Sequence, residues 1–192
     1  MNIGLDIDGT LTTLDGVLEV FNRECKNELA LEDIQYYDLH KCYGVSKDIE
    51  KNVWVQYGDY IVKNAVPIKN LKVIVEKFRD IGNKIILITS RPKTQKEITE
   101  AWLEKNGVKY DELVFATRDK CFYVPKYNLS VLVDDNPSEL IALKNSPFWS
   151  VCEGWVIDQP YNKGCHADKR IMFFEDGTLV NILGAQSGRV RG

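Results

Sequence analysis

The stretch Ile3-Gly4-Leu5-Asp6-Ile7-Asp8-Gly9-Thr10-Leu11-Thr12 decides the fold. Ile3, Leu5 and Ile7 are residues that fill a buried strand, yet the run stops at two carboxylates followed by a glycine and a threonine. Acids that end a buried strand need a reason. In an open parallel sheet, ligands bind just beyond the carboxyl ends of the strands, so Asp6 and Asp8 would face a crevice rather than the core. Gly9 would let the backbone turn closely around whatever occupies that crevice. Read alone, Asp-Ile-Asp-Gly also fits a plain turn after an edge strand.

The rest of the chain places this strand. After Thr12 the apolar spacing becomes helical, with Leu14, Val17, Leu18, Phe21 and Cys25 on one face and Asp15 as the expected N-cap. A second amphipathic stretch starts at Ser46 and carries Ile49, Val53, Tyr57 and Ile61. No strand pattern interrupts the span, so residues 14–64 are expected to form a small helical cap inserted after the first strand. Pro67 then sits where a helix could begin, with Gly82 placed to end it. Lys84 to Thr89 is a continuous apolar run, as in a strand covered on both faces. Thr94 and Glu97 read as a capping box for the next helix. Leu113–Ala116, Val131–Val133 and Trp155–Ile157 are further strands, and Pro137 opens a helix before the last of them. This alternation predicts an α/β fold, a doubly wound parallel sheet built from residues 1–13 and 65–184. Arg170–Phe174 and Thr178–Leu183 flank Asp176-Gly177 as a C-terminal β-hairpin would, and residues 185–192 read as a flexible tail.

Composition sets outer bounds. A chain of 192 residues can bury one substantial core with a modest insertion. The net charge of −3 and the lack of a basic stripe argue against a nucleic-acid partner. No apolar run approaches the roughly 20 residues that span a bilayer, so no membrane partner is expected. Five scattered cysteines without Cys-x-x-Cys spacing fit a reducing, cytoplasmic location. Cys165-His166 and His40 do not make a zinc ligand set.

Three further pieces carry chemistry. Thr89 and Ser90 close the second strand just before a helix, where a hydroxyl and free N–H groups can hold phosphate oxygens. Arg91 and Lys93 follow and are either substrate-binding cations or solvated surface charge. Asp134 and Asp135 end the fourth strand as adjacent carboxylates, an arrangement that a nearby cation explains; hard oxygens beside a substrate phosphate suit Mg²⁺.

Taken in full, Asp-x-Asp-Gly-Thr-Leu-Thr after an N-terminal strand resembles the first motif of the haloacid dehalogenase-like hydrolases, most of which are phosphatases. The resemblance implies that Asp6 attacks phosphorus to form an aspartyl phosphate and that Asp8 is the general acid and base. Thr89 corresponds to the second motif, which binds the phosphoryl group. The third motif is a lysine, here Lys120 with Lys126 as the alternative. The fourth motif makes Asp134 a direct metal ligand and Asp135 its support, so Mg²⁺ would be held by Asp6, Asp134 and the backbone carbonyl of Asp8. The cap's place and size resemble those of the 5'(3')-deoxyribonucleotidases, a branch that also has an active-site loop where Asp158 to Asn162 lies. Selectivity must come from the cap, because the chemical core meets only phosphate, metal and leaving oxygen. Tyr36, Tyr37, Tyr43, Trp54, Tyr57 and Tyr60 crowd that segment. Most must serve its core, and Tyr37 and Trp54 are the expected pocket members for a nucleoside monophosphate. Other readings are a phosphatase of another small metabolite, a phosphomutase, a 3'-phosphatase on nucleic-acid ends, and an idle fold that binds a phosphorylated ligand.

Overall fold

The computed structural model describes residues 1–172. Its elements run β1 (Asn2–Leu5), α1 (Asp15–Cys25), α2 (Leu39–Tyr43), α3 (Lys47–Lys63), α4 (Leu71–Asp80), β2 (Lys84–Thr89), α5 (Lys96–Lys105), β3 (Glu112–Phe115), α6 (Val124–Tyr127), β4 (Val131–Asp134), α7 (Pro137–Lys144), β5 (Glu153–Ile157) and β6 (Lys169–Ile171). The six strands form one sheet in the order β3-β2-β1-β4-β5-β6, and every pairing is parallel. This is the doubly wound fold expected. The strand order reverses between β1 and β4, and at such a switch point the crevice opens beyond the strand ends.

Strand periodicity explains why β2 is apolar throughout. Ile85 and Leu87 face one layer with Leu71, Phe78 and Leu103 of α4 and α5, whereas Ile86 and Ile88 face the other with Val124 and Leu143 of α6 and α7. In β1, Ile3 and Leu5 join the first layer. Gly4 turns to the second, where a Cβ would lie 3.0 Å from Leu129 Cδ1 and 3.2 Å from Leu132 Cδ1. Helices α1 to α3 and the segment between α1 and α2 share a third apolar cluster that includes Phe21, Ile34, Val53 and Ile61.

Several local expectations need correction. Helix α1 begins at Asp15 itself, with Leu14 at the cap and no side-chain capping bond. Asp15 instead accepts from the Thr13 hydroxyl at 2.8 Å and sits in the first turn, where the helix dipole favours an acid. Pro67 does not open α4; it bridges back to Thr12, and the helix starts at Leu71 after Asn70 in the left-handed region. Thr94 and Glu97 form no capping box, because residues 93–95 make a tight 3-10 turn and α5 starts at Lys96. Ser46 does cap α3, accepting from the Ile49 amide, although Ile49 is exposed rather than buried with Val53 and Ile61. The strand from Arg170 pairs parallel to β5 at the sheet edge. Its expected hairpin partner, Thr178–Leu183, and the tail at 185–192 lie outside the described residues.

Phe78 is buried between α4 and the sheet, while Val73 on the same helix is 48% exposed. Phe78→Ala is expected to lower the unfolding free energy by about 3–5 kcal/mol. Val73→Ala should stay within about 0.5 kcal/mol of the parent in the same denaturant titration. Comparable losses for the two variants would contradict the assigned layering.

Candidate active site

The ends of β1 and β4 lie side by side because Leu5 pairs with Val133 and the Asp6 amide donates to the Val133 carbonyl at 3.0 Å. That register carries Asp6 and Asp134 to the same level at the strand ends, both buried. Lys120, also buried, reaches between them from the short turn after β3. Its Nζ donates to Asp6 Oδ1 at 2.5 Å and to Asp134 Oδ2 at 2.7 Å. The Lys120 amide donates to Glu139 Oε2 at 2.7 Å, which fixes the turn against α7. Of the two lysine alternatives, only Lys120 meets the acids; Lys126 is exposed and lies over the Tyr127 ring.

Asp8 takes a different partner. Arg91 grips its carboxylate from the side, Nε to Oδ2 at 2.8 Å and Nη2 to Oδ1 at 2.6 Å. Arg91 is therefore buried, not the solvated cation that its loop position allowed. Thr89 is buried at the end of β2 and its Oγ1 accepts the Arg91 amide at 3.2 Å. Ser90 is exposed beside the cavity, whereas Lys93 stands on the outer turn and does not line it.

Asp135 is held from a direction that the sequence did not disclose. The Tyr161 hydroxyl donates to Asp135 Oδ2 at 2.5 Å, and Asn162 Nδ2 donates to the Asp135 carbonyl at 2.7 Å. Gln159 Nε2 reaches the Gly9 carbonyl at 3.0 Å. Arg170 ties this loop down through Asp158, Asn162 and the carbonyls of residues 162 and 165. Gly9 has φ +74°, and a Cβ there would sit 2.5 Å from Asp135 Oδ2, so glycine is required on both counts.

Asp6, Asp134 and Asp135 each offer an oxygen within 4.8 Å of the others. Burial, then the neighbouring Asp134 and Asp8 charges, push Asp6 up to about 7 against the pull of Lys120. Burial likewise raises Asp134 and lifts Asp135 well above the usual carboxylate range. Burial works against the Lys120 ammonium, but Asp134 and Asp6 outweigh it and its pKa rises. One ammonium cannot balance three buried carboxylates, and this hard-oxygen donor set fits a divalent cation such as Mg²⁺. The Asp8 carboxylate stands apart from the three, turned to Arg91.

Above the acids opens a cavity of about 1090 Å³. Asp6, Asp8, Lys120 and Asp135 line its floor, and α1, α2 and α3 with the segment between the first two supply the opposite wall, including Tyr37 and Trp54. Tyr37 packs edge-on to Tyr161, with ring centroids 5.7 Å apart, and Trp54 packs edge-on to Phe21 at 5.5 Å. Tyr43 is buried, while Tyr36 and Tyr60 are exposed and do not line the cavity. Tyr161 was missed as a site residue, though it lies within the flagged loop, because no spacing rule reports that its hydroxyl meets Asp135.

The raised Asp6 pKa makes stability depend on pH. Between 3.8 and about 7 the unfolded carboxylate is ionised while the folded one keeps its proton. Folding therefore takes up a proton, and stability falls as pH rises through that window. Without divalent metal, the midpoint of thermal unfolding should drop between about pH 5 and about pH 8, with a smaller drop for Asp6→Asn. Added Mg²⁺ should raise the midpoint more at the higher pH, as scanning calorimetry can measure. A midpoint that climbs across this range, equally in both proteins, would contradict the assignment.

Comparison with known proteins agrees with this geometry. Residues 1–186 match the family described as 5' nucleotidase, deoxy (pyrimidine), cytosolic type C. A nucleotidase of Clostridium acetobutylicum is 24% identical over 184 residues, covering 95% of this chain and 93% of its own. Among solved structures, a haloacid dehalogenase-like protein from Agrobacterium tumefaciens superposes with TM-score 0.68 at 9% identity, covering 97% of this chain and 98% of its own. A HAD family hydrolase from Deinococcus radiodurans, solved with bound phosphate and sodium, gives 0.66 at 9% identity over 95% and 96% of the two chains. These two show the shared fold. The chain belongs to the family of cytosolic type C 5'-nucleotidases, and it is an enzyme of the phosphatase and nucleotidase class.

Proposed function

We propose that the protein is a Mg²⁺-dependent phosphomonoester hydrolase that works through an aspartyl phosphate on Asp6, with a deoxyribonucleoside or ribonucleoside monophosphate as substrate. The observation that carries this reading is the buried Asp6, Asp134 and Asp135 group around Lys120, at the floor of an aromatic-walled cavity. Asp6 and Asp134 would hold Mg²⁺, with the Asp8 carbonyl as a further ligand and Asp135 in support. When bound, the ion neutralises phosphate oxygens and supplies the positive charge that the acids lack.

Asp6 attacks phosphorus in line and displaces the nucleoside oxygen, which takes the proton of the Asp8 carboxyl. Asp8 then removes a proton from water, and the resulting hydroxide displaces Asp6 from phosphorus and releases phosphate. Lys120 holds the Asp6 carboxylate in place and balances charge as the phosphoryl group arrives. The Ser90 hydroxyl, at the cavity edge, offers a donor to its oxygens. Residues 14–64 act as the cap over this site, and the cavity is roomy enough for a whole small ligand, at the top of the usual range for such pockets. Five free thiols suit a reducing, cytoplasmic location.

Phosphate release from nucleoside monophosphates should require Mg²⁺ and vanish in EDTA. Asp8→Asn should cost about 10²–10⁴-fold in kcat, and Asp6→Asn should leave no phosphoenzyme for acid-quench trapping. Full activity in EDTA, or in Asp6→Asn, would overturn the mechanism.

Trp54 supports the choice of substrate, because its ring lines the cavity and is 39% exposed despite its contact with Phe21. Stacking on a base is worth roughly 1–3 kcal/mol, so Trp54→Ala should raise the nucleotide KM by about 5- to 150-fold with little change in kcat. An unchanged KM in the folded variant, or sugar phosphates cleaved in preference to nucleotides, would remove the nucleotide assignment and leave the phosphatase.

A further inference from the structure

We infer that Arg91 is a positioning residue for the Asp8 carboxylate, not an arm that binds the substrate anion, and that Thr99 sets the guanidinium in place. The inference rests on the proposed role of Asp8 as acid and base.

The geometry is one of commitment. The Arg91 side chain is 4% exposed, and three of its five N–H donors are bound inside the protein. Two go side-on to the Asp8 oxygens, and Nη1 donates to Thr99 Oγ1 at 3.2 Å. Thr99 is fully buried on α5, which makes it a fixed anchor rather than a chance contact. Arg91 itself leaves β2 one residue after Ser90, and its amide is bound to Thr89 Oγ1. The guanidinium is thus held at both ends by the core.

Asp8 is the opposite kind of residue. Its carboxylate is 42% exposed on the loop after β1, and its one ion-pair partner among the described residues is Arg91. An exposed carboxylate would sample several rotamers. A planar fork that meets both oxygens fixes the plane and the direction of the group, which a lysine, as a single point charge, cannot do. Each carboxylate oxygen has two lone pairs and the fork uses one on each, so a place for the transferred proton remains. A proton donor must lie within hydrogen-bond reach of the leaving oxygen, and a displacement of about 1 Å can cost about 10²-fold in rate. Aiming Asp8 is therefore a task large enough to need a dedicated residue.

The test separates aim from binding and from damage. Single-turnover release of nucleoside from a nucleoside monophosphate and of p-nitrophenol from p-nitrophenyl phosphate is measured with Mg²⁺ for the parent, Arg91→Lys, Arg91→Ala and Thr99→Val. The nucleoside leaves as an alkoxide and needs the proton of Asp8, whereas p-nitrophenolate leaves without it. Arg91→Lys and Arg91→Ala should slow nucleoside release by about 10- to 100-fold while p-nitrophenol release falls only a few-fold, with apparent substrate affinity within about twofold of the parent. Thr99→Val should show a smaller loss in the same direction, and added guanidinium should restore part of the Arg91→Ala loss. Weaker affinity for both substrates at unchanged rate would make Arg91 a substrate-binding arm and overturn the inference, as would equal slowing of both releases in proteins that fold normally. If Arg91→Ala does not fold, Arg91→Lys and Thr99→Val decide between the same outcomes. Unimpaired nucleoside release by Asp8→Asn would instead remove the acid–base role, and the inference with it.

Discussion

Three carboxylates held out of water around one ammonium are the constraint on which this molecule turns. Asp6, Asp134 and Asp135 cannot all be ionised beside Lys120 unless more positive charge arrives, and burial makes each unpaired charge costly. The sheet makes the arrangement possible. Parallel pairing of β1 with β4 sets Asp6 and Asp134 at one level, and the reversal of strand order there leaves room beyond them. Gly9 clears the space that the Asp135 carboxylate fills, and Tyr161 and Thr10 supply hydroxyls to it, Thr10 at 3.4 Å. Three ionised carboxylates beside one ammonium leave an excess of negative charge that a divalent cation would offset.

The helical unit over the site is joined to the core by specific polar contacts as well as by apolar packing. Gln95, buried in the turn before α5, donates to Asp59 of α3 at 2.9 Å, and Gly58 makes the room, since a Cβ there would lie 2.9 Å from the Gln95 amide nitrogen. Trp102 Nε1 donates to the Ala65 carbonyl at 2.7 Å where the chain returns to the core. Tyr161 makes the most direct link. Its ring packs with the helical cluster and against Tyr37, while its hydroxyl touches Asp135, so one side chain spans the substrate wall and the acid floor.

What could be read from the sequence, and what could not, follows the range of the forces involved. The run from Lys84 to Thr89 was legible because a strand covered on both faces must be apolar throughout, and β2 has the same bounds. Asp6, Asp134 and Asp135 were legible because acids at the end of such runs contradict the core unless a site needs them. Helix starts were less so. Pro67 can open a helix or pair at an edge, and its bridge is to Thr12, a residue far away in the chain. Thr94 and Glu97 have the spacing of a capping box, but Gln95 turns inward to Asp59, and a tight turn replaces the cap. The partners of Arg91 and Tyr161 were hidden for the same reason. Spacing reports which face a residue occupies, not which group across the fold its side chain will meet.

The two carboxylates of the opening motif lie two residues apart and yet occupy unlike surroundings, as the two unlike tasks proposed for them require. Asp6 is sealed in, pinned by Lys120, and shares its space with other acids. Asp8 is open to the cavity, and its cation comes from the opposite side, out of the loop after β2. Exchanging these environments would spoil both roles proposed for them. In the proposed mechanism an exposed nucleophile would be solvated and poorly aimed, and a sealed acid could not trade protons with water after the leaving group departs. Ile7 lies between them, fully buried, and its carbonyl accepts the amides of Thr10, Leu11 and Thr12. That knot of backbone hydrogen bonds fixes the turn tightly enough to keep one carboxylate on the core side and the other on the solvent side.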